Sequence, residues 1–285
     1  MDTREIPQIP KPHESLLPQY LLRERNELER VSRQNAQTAY LGDNRMLTRV
    51  LGKYFMYVDT TDINISPYLA MDGYWEAWTT LAMARILRPG MRCLDVGANF
   101  GYYSVLMGDA VGDDGVVVAL EPNPKVTLFL DPTIKVNGLE KRVTILEKAA
   151  YSQDDANLNF VVPKNSPMNG AIGVSASKEE SLTVGTTTLD TLTRNWDRVD
   201  FAKIDTEGAE WDVWKGMQQM IDRNPNISII MEFNSSRGYD TELFLNSIRA
   251  KEFPIRHIDN NSRFTSVSDR EILSSNQDWL LYLHR

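Results

Sequence analysis

The stretch "RCLDVGANFGYYSVL", residues 92–106, decides the fold. Its first residues form a short apolar strand, and from Tyr102 the pattern becomes helical. Between them lies a glycine turn, Gly97-Ala98-Asn99-Phe100-Gly101. Gly97 and Gly101 allow the backbone to turn sharply and to approach a ligand closely. The helix that starts near Tyr102 leaves its first amides free to bind an anion. A strand, glycine turn and helix of this kind carry a cofactor at the carboxyl edge of an α/β sheet. A dinucleotide fingerprint reads GxGxxG. Here the turn reads GxxxG with Asn99 inside it, which weighs against an NAD(P)-dependent oxidoreductase.

Working outward, apolar strands recur in "GVVVALE", "RVTILEKAA", "DFAKIDT" and "ISIIMEF". Runs that are apolar almost throughout suit parallel strands covered on both faces. Helices fit 101–110, 124–137, 209–222 and 240–252. "PIRHID" and "DWLLYLH" are expected to pair as an antiparallel hairpin at one edge. The pattern predicts an α/β fold, a doubly wound, mostly parallel, seven-stranded Rossmann-like sheet over residues 91–285. Residues 151–198 are too long for a plain crossover. "NLNFVV" and "SLTVGTTTLDTL" read as extra strands there, with "PKNSPMNGAIG" as a flexible loop.

Before this domain, residues 1–18 carry four prolines and read as a flexible tail. Residues 19–90 form an N-terminal helical and aromatic extension, a cap or a dimer element. In the helix over 19–37, Leu21, Leu28 and Val31 share a face, which packs on the domain or against a second copy in a homodimer. Between Tyr54 and Trp78 aromatics cluster, mostly as core.

The net charge of −8 disfavours nucleic acid as a partner. Cys93 is the sole cysteine, in an apolar run, and reads as a buried, inert thiol. His13, His257 and His284 lack metal-site spacing. No apolar run reaches the roughly 20 residues needed to span a bilayer, and the N-terminus has no signal-peptide pattern. The expected location is cytoplasmic.

"VVALEP" places Glu121 at the end of the next strand, 26 positions after Asp95. A carboxylate there can accept hydrogen bonds from both hydroxyls of a ribose. At this point the chain resembles the FkbM-type family of class I S-adenosylmethionine-dependent methyltransferases. The resemblance rests on "LDVGANFGYYS" at 94–104, "VVALEPNP" at 117–124, "TTLDTL" at 187–192 and "KIDTEGAEWDVWKG" at 203–216. It implies S-adenosyl-L-methionine as cofactor. The turn from Asp95 through Gly97, Ala98, Asn99, Gly101 and Tyr102 would receive its methionine end. Glu121 and the adjoining Asn123 would serve the ribose, and Ala149 would lie beside the adenine.

Methyl transfer to a hydroxyl needs in-line alignment and removal of a proton. Asp205 and Glu207, at a strand's carboxyl end beside a glycine, and Glu232 in "MEFN" are the expected catalytic carboxylates. Glu210 opens a helix, where an acid suits the dipole. Asp205, Glu232 and Asn234 are also hard oxygen donors of a type that binds Mg²⁺; otherwise they bind hydroxyls or act directly as base. Tyr74, Trp75, Glu76 and Asn234 are the candidate acceptor-binding residues. Segment 54–78 and the insertion at 151–198 would form the acceptor pocket. The resemblance implies an O-methyltransferase acting on a hydroxyl of a sugar, a glycan or a natural-product scaffold. The rivals are an oxidoreductase, a nucleic-acid methyltransferase, and a non-catalytic binding module on the same fold. "DTEG" stands where base-modifying enzymes often carry an NPPY-like sequence.

Overall fold

The structure is a computed structural model and describes residues 16–163, 170–173 and 180–285. Most of the expected tail and the middle of the "PKNSPMNGAIG" loop lie outside the described residues.

The chain opens with a 3-10 turn at Gln19–Leu21 and α1 (Arg25–Asn35), followed by a three-stranded antiparallel sheet, β1 (Thr38–Gly42), β2 (Arg45–Val50) and β3 (Tyr54–Asp59). Next come α2 (Ser66–Met71) and α3 (Ala77–Ile86). The alternating core begins with β4 (Arg92–Val96), α4 (Tyr102–Ala110), β5 (Val116–Leu120), α5 (Pro124–Val136) and β6 (Val143–Leu146). The insertion contributes β7 (Ala149–Ala150), β8 (Asn157–Val162), β9 (Ala171–Ile172), β10 (Glu180–Thr187) and α6 (Leu189–Leu192). The chain then forms β11 (Phe201–Ile204), α7 (Glu210–Lys215), α8 (Gln218–Arg223), β12 (Ser228–Phe233), α9 (Thr241–Ala250), β13 (Ile255–Ile258), β14 (Phe264–Ser266), α10 (Asp269–Leu273) and β15 (Trp279–Leu283).

The central sheet runs β14-β13-β15-β12-β11-β4-β5-β6. Seven of these strands give the doubly wound arrangement that the sequence predicts. The short β14 adds an eighth at the edge. β13 and β15 do pair antiparallel, but β15 is inserted between β12 and β13 rather than ending the sheet.

Period-two alternation sorts the strands' side chains onto two layers. Cys93, Val117 and Phe201 join the core shared with the N-terminal extension, α4 and α5. Leu94, Val118 and Ala202 join the core under α7, α8 and α9. The register agrees, pairing Phe201 with Cys93 and Cys93 with Val117. The single helix expected over 19–37 is instead the 3-10 turn followed by α1; Leu21 of the turn and Leu28 of α1 are buried in the first of these cores, while Val31 is only half-buried. Burial pushes the Cys93 thiol well above its ordinary value, so it stays protonated.

The insertion is a third, four-stranded sheet ordered β7-β10-β8-β9. "EKAA", expected as the end of one long strand, leaves the central sheet after Leu146, and Ala149–Ala150 pair with Thr186–Thr187 instead. "LDTL" is helical rather than extended. Asp154 gathers Thr187, Thr188 and Thr191 around its carboxylate, with the Thr188 amide donating at 2.7 Å. Asp190 accepts the amides of Gln219 and Met220. It thereby caps the start of α8, which is why the single helix expected over 209–222 is two.

Candidate active site

The glycine turn is tied to the next strand. The Gly97 and Ala98 amides both donate to the Leu120 carbonyl, at 3.0 and 2.9 Å. Gly97, Asn99 and Gly101 all take the left-handed conformation, with φ of +83°, +53° and +92°. Asn99 is a residue that tolerates that region without a glycine's freedom. Its amide donates to Glu121 Oε2 at 2.9 Å, and the Asn123 amide donates to Glu121 Oε1 at 2.9 Å. Glu121 therefore fastens the turn to the following loop, and each of its oxygens keeps a second acceptor position. Burial pushes its carboxyl up to about 7, against the two amide hydrogen bonds. Asn123 in turn caps α5 by accepting the Lys125 amide.

An open cavity runs along this edge. It follows the carboxyl ends of five adjacent strands. Lys148 and Ala149 line it beyond β6, Glu121 and Asn123 beyond β5, and Gly97 to Phe100 beyond β4. Asp205 and Glu207 line it beyond β11, and Glu232 at the end of β12. Strands stand about 4.8 Å apart, so the row spans roughly 19 Å from the Ala149 end to the acid end. Trp75 and Glu76 line it from the N-terminal extension, and Tyr102 from the start of α4. The Glu121 carboxyl, the glycine turn and a length of this order fit an extended nucleoside joined to an amino acid.

At the acid end, register places Lys203 beside Asp95 and Ile230, on the face toward the N-terminal extension. Two residues on, Asp205 returns to that face and pairs with Lys203 Nζ at 3.0 Å. Burial alone would lower the Lys203 ammonium. Asp205, Asp95 and Glu76 outweigh it and hold the lysine charged, above its ordinary value. Its Nζ lies 4.6 Å from the Tyr103 ring centroid. The Tyr103 hydroxyl donates to Glu76 Oε2 at 2.7 Å. Burial and the nearby Asp205 charge raise the Glu76 carboxyl. Glu76 holds a left-handed φ of +36° at the start of α3, a strained position for this residue type.

The "DTEGAE" loop is folded by Glu210, which is fully buried. Its carboxylate accepts the Thr206 amide at 2.9 Å and the Gly208 amide at 3.1 Å. Glu210 is thus a structural clamp that turns Glu207 outward at φ +53°. Arg237, just beyond β12, bridges Glu210 at 3.1 Å, Glu207 at 3.4 Å and Glu232 at 2.5 Å. Glu232 and Asp205 are hydrogen-bonded neighbours. Burial and then the Asp205 charge push Glu232 up to about 9. Asp205 stays below its ordinary value because Lys203 and the Glu232 hydrogen bond overcome its burial.

Several expected residues lie elsewhere. Asp95 and Gly101 shape the turn from behind, with Asp95 Oδ2 accepting Ser104 Oγ at 2.5 Å. Tyr74 does not line the cavity; its hydroxyl accepts from Arg33 of α1. Asn234 is also turned away, its amide nitrogen donating to Asp278 at 2.7 Å and its oxygen accepting from Ser236. Asp205, Glu232 and Asn234 therefore do not converge as metal ligands. Lys203 and Arg237 already place two positive charges beside Asp205 and Glu232, and no metal-binding cluster occurs among the described residues. A divalent cation does not fit this donor set. His257 packs edge-on to Trp279 in β13, away from the cavity. Sequence reading missed Tyr103, Arg237, Phe160 and Ile172. For Arg237 the signal was a single arginine in a Ser/Gly-rich loop directly after an acid-ended strand.

The doubly wound sheet sets a glycine turn and the Glu121 carboxyl side by side at its carboxyl edge, and no described helix is long and apolar enough to cross a membrane. The chain belongs to the methyltransferase FkbM domain family, which matches residues 95–284. It is similar to the protein-L-isoaspartate O-methyltransferase of Methanopyrus kandleri, at 34% identity over 59 residues. The match covers 21% of this chain, and the chain spans only 26% of that relative's length. Among solved structures it resembles the methyltransferase FkbM of Methylobacillus flagellatus, at 16% identity and TM-score 0.43, covering 73% of this chain and 54% of that one. It also resembles an S-adenosylmethionine-dependent O-methyltransferase of Thermotoga maritima, at 12% identity and TM-score 0.44, covering 88% and 86%.

Proposed function

We propose that the protein transfers a methyl group from S-adenosylmethionine to a hydroxyl of a sugar, a glycan or a natural-product scaffold. The observation that carries this reading is the single cavity that joins Glu121 to Asp205, Glu207 and Glu232. When bound, S-adenosylmethionine supplies an electrophilic methyl group on a sulfonium. Glu121 and Asn123 hold the ribose, Ala149 borders the adenine, and the Gly97–Gly101 turn takes the methionine end. Asp205, ionised and fixed by Lys203, accepts the hydrogen bond of the acceptor hydroxyl and takes its proton. Glu207 and the protonated Glu232 orient the acceptor, with Trp75 and Glu76 walling it from the N-terminal side.

The test incubates the protein with labelled S-adenosylmethionine and a panel of glycans and metabolites, and identifies the product by mass. With an acceptor in hand, Asp205→Asn is expected to slow turnover by about a hundredfold or more while leaving S-adenosylhomocysteine affinity near that of the wild type. Wild-type turnover in both Asp205→Asn and Glu207→Gln removes the carboxylate assignment.

A second expectation concerns pH. The Glu121 carboxyl sits near 7 in the free protein, and its ionised form is the better acceptor for ribose hydroxyls. S-adenosylhomocysteine affinity, measured by calorimetry, should therefore rise between pH 6 and pH 8. In Glu121→Gln that rise should vanish and binding should be weak throughout. A pH-independent wild-type affinity contradicts the ribose role.

A further inference from the structure

The insertion has so far been an addition to the fold with an acceptor-side role. Its position says otherwise. β7 begins directly after Lys148, at the purine end of the cavity, and pairs in parallel with β10 through Ala149–Thr186 and Ala150–Thr187. The Tyr151 amide donates to the Thr187 carbonyl at 2.9 Å, and Asp154 locks the same strand end. The whole β7-β10-β8-β9 sheet is thereby anchored over the β6 edge, at the opposite end of the row from Asp205 and Glu232. Beside Ala149 and Ala150 of β7, the insertion lines the cavity with Phe160 of β8, Gly170, and Ile172 of β9.

Phe160 and Ile172 are direct register partners. Phe160 is 5% exposed and packs with Ala149, Val162 and Val184 in a small core of the insertion's own. Gly170 packs directly against its ring, since a Cβ there would stand 2.2 Å from Phe160 Cε1. The ring is held in place from behind while it contributes to the cavity wall. An apolar aromatic wall beside Ala149, one strand beyond the ribose acid, matches the chemistry of a purine: a flat π-face to cover and little charge to satisfy.

We infer that the β-insertion belongs to the donor site, with Phe160, backed by Gly170 and flanked by Ile172, closing an apolar wall on the adenine ring of the donor. The inference rests on the donor reading above. It leaves the acceptor to enter from the side of Trp75, Glu76 and Arg237.

The test measures S-adenosylhomocysteine binding by calorimetry to the full chain, with no acceptor needed. Phe160→Ala should bind about tenfold more weakly or worse, the scale of a lost aromatic–base contact. Val184→Ala removes volume from the same small core without touching the cavity and should bind like the wild type. Ile172→Ser, at the cavity wall, should weaken binding too. Equal loss in Phe160→Ala and Val184→Ala reduces Phe160 to a structural role and overturns the inference, as does unchanged affinity in Phe160→Ala. Wild-type protein that fails to bind S-adenosylhomocysteine overturns the donor reading itself, and this inference with it.

Discussion

Gly97→Ala is expected to be among the most destabilising single substitutions in the chain. A Cβ at this position would lie 1.8 Å from the carbonyl oxygen of Asp205 and 2.9 Å from its carbonyl carbon. Both obstructing atoms are backbone, so no rotamer relieves the overlap. The residue also needs φ of +83°. The left-handed backbone costs about 1 kcal/mol, and overpacking against a fixed neighbour adds about 1–3 kcal/mol. A loss of about 3 kcal/mol, read from the urea midpoint at constant slope, is the expected result. Gly138→Ala is the control, because it shares the positive φ, +67°, with nothing within 4 Å. It should lose only about 1 kcal/mol. Equal shifts in the two variants would show that backbone conformation alone, and not the crossing of the β4 and β11 loops, makes glycine necessary at 97.

Lys203→Met is the second. The ammonium is 3% exposed and stands among Asp95, Asp205 and Glu76. Removing one partner of a buried ionic group leaves uncompensated charge, which costs about 3–5 kcal/mol. The sign with pH follows from linkage. In the wild type the lysine's value is raised, so its contribution is complete below the ordinary lysine range and fades only as pH rises through the folded value. Without it the three carboxyls shift upward, and a raised carboxyl loses stability as pH rises. The deficit relative to wild type should therefore be small near pH 5 and large near pH 8. Urea midpoints at both pH values decide it. A deficit that is the same at both would mean that the cost is a packing void and not charge.

The site's framework was legible where sequence periodicity and chain chemistry coincide. The glycine turn, Glu121 and Asp205 each end an apolar run, and a strand's carboxyl end is where a doubly wound sheet collects its ligands. The paired β8 and β10 were legible as strands for the same reason. Tyr74 was misplaced because aromatic residues in sequence neighbour both core and cavity, and its ring turns to meet Arg33. Asn234 was misplaced because a one-residue change of direction after β12 sends its amide to Asp278. Arg237 and Phe160 act across the fold, from loops and sheets whose partners are distant in sequence, so the local pattern marks Arg237 only as a lone arginine after β12 and carries no mark of Phe160. The reassignment of "LDTL" to a helical turn has a local cause, the Thr188 side chain capping Thr191, that competes with the β-propensity of its threonines.

The insertion of β15 between β12 and β13 has a consequence for assembly. Ile229 pairs with Leu283, and Ile255 pairs with the same Leu283. Every residue of the β13–β14 hairpin is synthesised before the strand that attaches it to the sheet. Until residues 279–283 have emerged, β12 is an open edge and the hairpin is a separate piece. The sheet is thus closed by a keystone added after both of its sides, and the pairing that completes it is of long sequence separation, the kind that forms late and slowly. Until then the nascent chain exposes an unpaired apolar strand beside the Glu232 end of the cavity, the period in which it depends most on being kept from its neighbours.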